Sequence, residues 1–265
     1  MVPIRTINQE NEVYINRIKI NSINLNNGST NVQVDSISNL IIASLNCRRA
    51  NSIKEEALKQ LDQIKPHILA LQEIQIKFVS NLFGYHFIIN PKVPKDPNNS
   101  GGAMGFLIKN EIKDSIIINN SIENENIFSI KYIDKNNNNN FINITNFYGP
   151  KETNYEKWQP EFDPTSIESI SNFNFNDKKN DPNELWEELA SYIQTQKNNI
   201  VLGDFNAPYR TGLNCIKLFI LAEALDLNIT NIKDDGTCDF THACRTINGG
   251  TTSTIDYILV SNNLN

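Results

Sequence analysis

A set of apolar stretches, each of which ends in or carries a carboxylate or an asparagine, limits the folds open to this sequence. The stretches read NLIIASLN, HILALQE, NNIVLGDFN and STIDYILVS, and the polar residues are Asn46, Glu73, Asp204 with Asn206, and Asp256. Short runs of Ile, Leu, Val and Ala bounded by polar residues are typical of buried strands. One polar ending is ordinary turn chemistry, because Asn and Asp side chains close turns. Several such endings predict a shared pocket at one edge of packed sheets.

Predicted strands outnumber predicted helices along the chain. The strands are predicted at residues 39–46, 67–73, 85–90, 103–108, 115–119, 127–133, 141–147, 200–202 and 253–261. Apolar residues at helical spacing predict helices at 52–65, which Pro66 stops, at 183–196 and at 213–225. Because several strands follow one another with short links, the pattern favours an α/β fold of two packed sheets flanked by helices. It disfavours a doubly wound parallel sheet.

The pattern divides the chain into a polar N-terminal arm and one folded domain. Residues 1–37 are polar and rich in Asn, and their alternation predicts either an edge hairpin or a loose arm. Residues 38–265 form the predicted domain, which is long enough to bury a real core. Residues 159–183 are too long and polar for a simple connection, so we expect a surface insertion near Tyr148. The Asn run at 136–140 is predicted to be a loop expansion.

Composition and charge exclude some classes of protein. A formal net charge of −6 and a pI near 5.2 argue against a protein that coats nucleic acid through bulk electrostatics. They do not exclude a nuclease, since a metal site needs acidic ligands and DNA contact can use a local basic patch. The N-terminus has no secretory signal pattern, and no apolar run approaches the length of a membrane span. We expect a soluble intracellular protein that is not secreted, with a nuclear location left open and no protein partner evident.

The four cysteines predict reduced thiols rather than a disulfide framework. Cys47, Cys215, Cys238 and Cys244 form no CxxC pair. The segment CDFTHAC places His242 between two cysteines, and zinc is an alternative there. No second ligand pair follows at zinc-finger spacing, so the sequence disfavours a structural zinc.

The segment GDFN pairs a carboxylate with an amide at a strand end. Asp204 and Asn206 are two residues apart, so Phe205 between them is expected to face the other way. An acceptor carboxylate beside a neutral amide suits a site that handles a water and a phosphoryl oxygen. The alternative is an Asx-turn that closes the strand.

Five segments in order carry a resemblance to a known group of enzymes. They are IIASLN, ILALQE, NFYGP, IVLGDFN and STIDYILVS, and they span residues 39–261. The chain resembles the endonuclease/exonuclease/phosphatase superfamily, which includes abasic-site endonucleases and pancreatic deoxyribonuclease. Its C-terminal segments are most similar to endonuclease domains of non-LTR retrotransposons. The resemblance implies a four-layer α/β sandwich and a divalent-metal-dependent phosphodiesterase, with DNA as the expected partner.

The resemblance also assigns roles to individual residues. Glu73 corresponds to the main ligand of a divalent cation, usually Mg²⁺ with Mn²⁺ as an alternative, and Asn46 helps to hold metal and phosphate. Asp204 corresponds to the residue that orients or deprotonates the attacking water. Asn206 corresponds to a donor to phosphate oxygens, Tyr148 to a phenol near the scissile phosphate, and Asp256 to the partner of a catalytic His.

Two departures from the family pattern bear on activity. The family's C-terminal SDH element supplies the His that pairs with Asp256, whereas this chain ends at Asn265 without it. Of its three histidines, we expect His67 at the surface and His86 in a strand. His242 precedes the Asp256 strand across a Gly-Gly turn and is the candidate surrogate.

The second departure is a pair of arginines. Abasic-site enzymes of the group tend to carry an acid two residues after the Asn, where this chain has Arg48 followed by Arg49. Paired guanidinium groups can grip a nucleic-acid backbone, and the alternative is a solvated pair of charges. A catalytically impaired binding module, a phosphatase and a deadenylase of the same fold therefore remain alternatives to an active DNA endonuclease.

Overall fold

The computed structural model describes residues 16–20, 40–92, 102–119, 124–134, 137–150, 183–209, 212–230, 232, 242–246, 249–253 and 255–264. The described strands are β1 (Asn16–Ile20), β2 (Leu40–Ala50), β3 (Ile68–Ile74), β4 (Tyr85–Ile89), β5 (Ala103–Lys109), β6 (Ile116–Asn119), β7 (Ile127–Asp134), β8 (Asn137–Tyr148), β9 (Asn199–Asp204), β10 (Leu227–Ile229), β11 (His242–Thr246), β12 (Gly249–Ser253) and β13 (Asp256–Ser261). The described α-helices are α1 (Glu55–Ile64), α2 (Asn183–Gln194) and α3 (Gly212–Ala224).

Two mixed sheets form the centre of the fold. The first has the strand order β1-β2-β3-β5-β4, and the second has the order β10-β13-β9-β8-β7-β6. Strands β2 and β3 are parallel, as are β8 and β9, while the other neighbouring pairs in both sheets are antiparallel. Strands β11 and β12 pair with each other as a separate two-stranded sheet. The parallel pairs matter for function, because their carboxyl ends meet at one edge of each sheet.

The alternation of apolar side chains along the strands builds four layers. Ile200 and Leu202 of β9 pack between the two sheets, whereas Val201 packs on the outer face of its sheet. The outer face of the first sheet is covered by α1, and that of the second sheet by α2 and α3. The layers are therefore helix, sheet, sheet and helices. This confirms the predicted fold class.

Element boundaries differ from the sequence prediction where local backbone effects intervene. Helix α1 ends at Ile64 because Lys65 adopts a left-handed conformation (φ 49°) directly before Pro66. The predicted strand at 115–119 is preceded by a 3₁₀ helix over Asn110–Ser115, so β6 begins only at Ile116. The predicted strand at 253–261 is interrupted, since Ser253 ends β12.

The prediction of a loop for the Asn run at 136–140 is wrong. Strand β8 begins at Asn137, which pairs with Asp134 of β7 across a hairpin. The β7–β8 register shifts here, since the next pair is Ile133 with Phe141, so the Asn run is an irregular part of the strand rather than a separate loop.

The N-terminal residues include one strand at a sheet edge. Asn16–Ile20 pairs antiparallel with Leu40–Ser44 of β2. The insertion predicted at 159–183 falls almost entirely outside the described residues. Among the helices that the structure describes, none has the length and hydropathy to cross a membrane.

Candidate active site

The carboxyl ends of four strands converge at one edge of the sandwich. Asn46 lies in β2, Glu73 in β3, Tyr148 ends β8 and Asp204 ends β9. Each of the two parallel pairs brings its ends to the same edge, and packing of the sheets brings the edges together. Five of the predicted site residues, these four and Asn206, are joined by the contacts described below.

Left-handed backbone conformations concentrate at this edge. Arg48 (φ 50°), Arg49 (φ 59°), Glu73 (φ 48°) and Asn206 (φ 47°) are non-glycine residues with positive φ. Such conformations cost an L-residue about 1–2 kcal/mol each, so the surrounding structure must hold them. The β2–β3 register shifts between Asn46 and Ala50, and the β3–β5 register shifts at Glu73. Bulges therefore aim the side chains of two strands into the site.

The amide of Asn46 links the two carboxylates of the site. Its Nδ2 donates to Glu73 Oε1 at 3.0 Å and to Asp204 Oδ2 at 2.7 Å. Glu73 belongs to the first sheet and Asp204 to the second, so this single amide bridges both sheets. The Tyr148 hydroxyl also donates to Glu73 Oε1, at 3.0 Å. One carboxylate oxygen of Glu73 thus receives two hydrogen bonds.

Asp204 and Asn206 form a tight turn at the end of β9. The backbone N–H of Asn206 donates to Asp204 Oδ1 at 2.9 Å, and Asn206 Nδ2 donates to the carbonyl of Gly149 at 2.7 Å. Phe205 points away from both and is fully buried in the core under α2 and α3. The structure therefore contains the Asx-turn, and the same turn fixes an Asp204 carboxylate that is only 2% exposed.

Asp256 begins β13 directly beside the end of β9. Its Cα is paired with that of Asp204 in the antiparallel register, and the N–H of Phe205 donates to the carbonyl of Ile255. This places a third acidic residue at the same edge. His242 lies in β11, which pairs with β12; the described neighbours of β13 are β9 and β10.

The other histidines lie elsewhere. His67 precedes β3, at the opposite end of that strand from Glu73, and its Nδ1 accepts the N–H of Ile41 at 3.0 Å. It is half-buried rather than at the surface as the sequence predicted, and this burial lowers its pKa. His86 lies in β4, as predicted.

Burial and nearby negative charge keep two weakly acidic groups beside the site, a phenol and a thiol, protonated. Burial, then the charges of Glu73 and Asp204, raise the pKa of the Tyr148 phenol well above its ordinary value. Burial, then the charge of Glu73, raise the pKa of the Cys47 thiol to about 12. The phenol is therefore a hydrogen-bond donor at neutral pH, and the thiol is not a nucleophile.

The two arginines lie at the rim of the site. Both are exposed, and Arg49 Nε lies 3.9 Å from Glu73 Oε2. The backbone N–H of Arg48 donates to Asn46 Oδ1 at 2.8 Å. The same bulge therefore orients the Asn46 amide and places the Arg49 guanidinium beside the Glu73 carboxylate.

The oxygen donors of the site fit a hard divalent cation. The Glu73 side chain is 13% exposed, and its Oε2 accepts no hydrogen bond within the described ranges. Asn46 Oδ1 accepts one hydrogen bond and keeps a second lone pair. Mg²⁺ is commonly held by one or two carboxylates while it keeps several waters. The described residues contain no group of three His, Cys, Asp or Glu placed to hold a metal, so a site here depends on water and substrate oxygens.

The sequence matches the Endonuclease/Exonuclease/phosphatase family over residues 22–265. The chain belongs to this family. It is thus a member of a superfamily of hydrolases that act on phosphodiester or phosphate bonds. No curated protein matches it by sequence.

Three solved structures are similar to this chain at low sequence identity. The endonuclease domain of TRAS1, a telomere-specific non-LTR retrotransposon, is 15% identical with a TM-score of 0.54, over 84% of this chain and 85% of that one. The 3′-5′ exonuclease NExo from Neisseria meningitidis is 12% identical with a TM-score of 0.49, over 83% and 86%. The human Nocturnin catalytic domain with bound sulfate is 17% identical with a TM-score of 0.48, over 79% and 76%.

Asn214 is a site residue that sequence reasoning missed. It lies in α3 and is fully buried, and its Nδ2 donates to the carbonyls of Asn206 at 2.9 Å and Pro150 at 2.7 Å. Trp186 of α2 in turn donates to Asn214 Oδ1 at 3.3 Å. Asn214 thus ties the two loops that follow β8 and β9. Its only signal in the sequence is a polar residue among apolar ones in the helix.

Tyr148→Phe is expected to lower turnover about 10-fold to 100-fold without unfolding the protein. Hydrogen bonds to charged groups are worth about 1.5–3 kcal/mol, and about 1.4 kcal/mol is a factor of ten in rate. Because the raised pKa keeps the phenol neutral, the ratio of wild-type to variant turnover should be constant at all pH values below 10. A ratio that changes with pH in that range would mean that Tyr148 acts by ionising rather than by donating.

Proposed function

We propose that this chain is a divalent-metal-dependent phosphodiesterase, and specifically a DNA endonuclease that hydrolyses P–O bonds by metal-assisted attack of water. The observation that carries the proposal is the direct hydrogen bonding of Glu73, Asn46 and Asp204 across the two sheets. The amide of Asn46 donates to both Glu73, the proposed cation ligand, and Asp204, the proposed ligand of the attacking water, and so holds the two carboxylates close together. This arrangement suits in-line displacement at a phosphate, in which attacking water and phosphoryl oxygen must be held together.

Asp204 is the residue proposed to orient and deprotonate the attacking water. Both of its oxygens accept hydrogen bonds, Oδ1 from the Asn206 N–H and Oδ2 from Asn46 Nδ2. These bonds fix the plane of the carboxylate. A fixed acceptor of this kind can hold one water and take its proton as the new P–O bond forms.

Glu73 and Asn46 are the residues proposed to hold Mg²⁺, or Mn²⁺ in its place. When bound, the cation would polarise a phosphoryl oxygen and stabilise the negative charge of the transition state. The protein's own contribution is to aim the carboxylate. Tyr148 and Asn46 both donate to Oε1, whereas Oε2 lies 3.9 Å from Arg49 Nε.

Asn206 is the proposed neutral donor to the phosphate, and Tyr148 is the phenol that lies near it. The Asn206 amide uses one N–H on the Gly149 carbonyl, and its side chain also hydrogen-bonds with the Tyr148 hydroxyl. Burial and the charges of Glu73 and Asp204 raise the pKa of Tyr148 further above its ordinary value, so it keeps the proton that it donates to Glu73 Oε1. Donors fixed before the reaction stabilise developing charge without reorganising, which is why such groups contribute strongly to catalysis.

A basic rim beside the site favours nucleic acid as the substrate. The loop after β3 lies along the bulge of β2 that contains Arg48 and Arg49. The N–H of Gln75 donates to the carbonyl of Ala50, and that of Val79 donates to the carbonyl of Asn51. Three cations, Arg48, Arg49 and Lys77, are exposed on these two segments, although the whole chain carries a net charge of −6. Segments 47–53 and 75–83 contain no acidic residue. Local positive charge of this kind positions a phosphate backbone.

Replacing both Arg48 and Arg49 by glutamine is expected to lower the affinity for DNA and to make that affinity less dependent on salt concentration. Each arginine that neutralises a phosphate should contribute about one to the slope of log K against log salt, so the slope of the double variant should be smaller by about two. The measurement is fluorescence anisotropy with labelled duplex DNA in EDTA over a salt series. Lys59→Gln, an exposed cation of α1 paired with Glu55, is the matched control. If the double variant shows the same slope of log K against log salt as Lys59→Gln, then Arg48 and Arg49 do not contact the DNA phosphates.

Three substrates distinguish the proposed activity from its alternatives. Labelled duplex DNA, single-stranded RNA of the same sequence and p-nitrophenyl phosphate are each incubated with the chain and Mg²⁺. Fastest cleavage of DNA at internal bonds supports the proposal. Preference for RNA would support a deadenylase-like activity, and hydrolysis of the monoester alone would support a phosphatase. Binding of DNA with no cleavage of any substrate would support a binding module.

A further inference from the structure

A fully buried amide of the second sheet reaches across the sandwich into the first. Asn146 lies in β8, and its Nδ2 donates to the carbonyl of Leu71 in β3 at 2.9 Å and to that of Gly105 in β5 at 3.1 Å. Its side chain is surrounded by the apolar interface between the sheets. An amide buried in such surroundings is costly unless its donors are used, and here both carbonyls belong to the opposite sheet.

The two carbonyls mark the break in the ladder that presents Glu73. Leu71 is paired with Gly105, and pairing resumes only at Ile74 with Ala103. Glu73 lies inside this bulge with a left-handed backbone. On the other side, a Cβ at Gly102 would lie 2.5 Å from the Glu73 backbone, so the bulge is tightly enclosed. Asn146 therefore satisfies the carbonyls at the base of a strained segment.

A second buried side chain fixes the orientation of this amide. Gln72 Nε2 donates to Asn146 Oδ1 at 2.7 Å, so the Asn146 oxygen is occupied and its nitrogen must face the carbonyls. Gln72 also exchanges hydrogen bonds with Ser44 of β2, at 3.1 and 3.3 Å. Ser44, Gln72 and Asn146 precede Asn46, Glu73 and Tyr148 by two, one and two residues. A single buried hydrogen-bond network thus lies next to Asn46, Glu73 and Tyr148 in the three strands that carry them.

We propose that Asn146 is a positioning residue that holds the Glu73 bulge in its cation-binding conformation from the opposite sheet. Its strand carries Tyr148 two residues further on, so the same contact keeps the Tyr148 hydroxyl 3.0 Å from Glu73. The inference rests on the proposed function, since it gives Asn146 a role in presenting a metal ligand. Side chains that orient a ligand without touching the metal commonly alter its affinity.

Asn143 offers a matched comparison for a purely structural role. It is in the same strand and equally buried, and its Nδ2 donates to the carbonyl of Lys197 at 2.7 Å. It lies opposite Asn199 at the start of β9, whereas the site lies at that strand's end. Loss of either amide should lower stability, but only loss of Asn146 should release Glu73.

The test is Mn²⁺ binding to the wild type, Asn146→Ala, Asn143→Ala and Glu73→Gln, measured by electron paramagnetic resonance under conditions where unfolding curves show each to be folded. We expect Glu73→Gln to abolish the site, Asn146→Ala to weaken Mn²⁺ binding about tenfold or more, and Asn143→Ala to leave it unchanged. Gln72→Met removes the donor to Asn146 Oδ1 and is expected to weaken Mn²⁺ binding several-fold. It replaces Asn146→Ala in the test if Asn146→Ala does not fold.

The outcomes separate the two proposals. Wild-type affinity in Asn146→Ala, or in Gln72→Met where Asn146→Ala does not fold, would overturn the positioning role while leaving the metal site intact. Equal weakening in Asn143→Ala would also overturn it, because the effect would then be general to the buried amides. If Mn²⁺ binding by the wild type does not depend on Glu73, the proposed cation site itself fails.

Discussion

Glu73→Gln is expected to lower the rate of DNA hydrolysis about 10³-fold while leaving the protein folded. A cation that stabilises the transition state supplies several kcal/mol, and each 1.36 kcal/mol is a factor of ten. Glutamine keeps the length of the side chain and can still accept the hydrogen bonds of Asn46 and Tyr148 through its carbonyl oxygen. Only the negative charge and one oxygen are removed, so the decrease in rate reports the ligand rather than the fold.

The measurement is single-turnover cleavage of labelled duplex DNA in Mg²⁺, with circular dichroism to verify folding. Glu111→Gln is the matched control, because Glu111 is an exposed carboxylate that pairs with Lys109 at the far end of the first sheet. Glu111→Gln should retain wild-type rates. A folded Glu73→Gln variant with a rate close to the wild type would show that hydrolysis does not depend on this carboxylate.

Gly203→Ala is expected to destabilise the protein by about 4 kcal/mol, a large share of the 5–15 kcal/mol that stabilises a typical domain. Gly203 has φ 146°, which an L side chain rarely adopts, and a Cβ there would lie 2.0 Å from the Phe147 carbonyl oxygen. Backbone strain and overpacking each cost about 1–3 kcal/mol. Because Asp204 follows directly, the clash also displaces the proposed water-binding carboxylate.

Urea unfolding of Gly203→Ala beside Gly84→Ala separates clash from conformational strain. Gly84 also has positive φ, at 86°, but a Cβ there would meet nothing within 4 Å. Gly84→Ala should therefore cost only the strain, about 1 kcal/mol after the loss of unfolded-state freedom is counted. Equal shifts of the two midpoints would show that β8 and β9 can move apart at Gly203 and that their close approach does not constrain the site.

The strands and the composition of the site could be predicted because they depend on local pattern. The continuous apolar run in IVLGD indicates a strand that is buried on both faces, and polar residues at the ends of such strands have few places to go except an edge. Parallel pairing of β2 with β3 and of β8 with β9, followed by packing of the two sheets, brings Glu73 and Asp204 together. The strands and their polar ends are therefore visible in the local sequence, whereas the pairing and packing of the strands depend on distant contacts.

The bulges and the residues that hold them could not be predicted in the same way. Nothing local distinguishes the left-handed Glu73 or Arg49 from neighbouring residues in extended conformation, because the register shifts depend on pairing with β5 and β3. Asn146 reads as an isolated polar residue in the segment ITNFY. Its partners are carbonyls of the other sheet, which tertiary packing alone brings within reach. The strand at Asn137 is likewise obscured by weak propensity.

Nicking of supercoiled plasmid by the purified chain, beside Asp204→Asn, is the decisive experiment. With Mg²⁺ we expect the wild type to convert supercoiled to open circular DNA, EDTA to abolish the conversion, and Asp204→Asn to slow it by roughly 10²–10⁴-fold. Well-folded wild-type protein that nicks no DNA in Mg²⁺ or Mn²⁺ would contradict the proposed hydrolysis, as would nicking that persists in EDTA or is unchanged in Asp204→Asn.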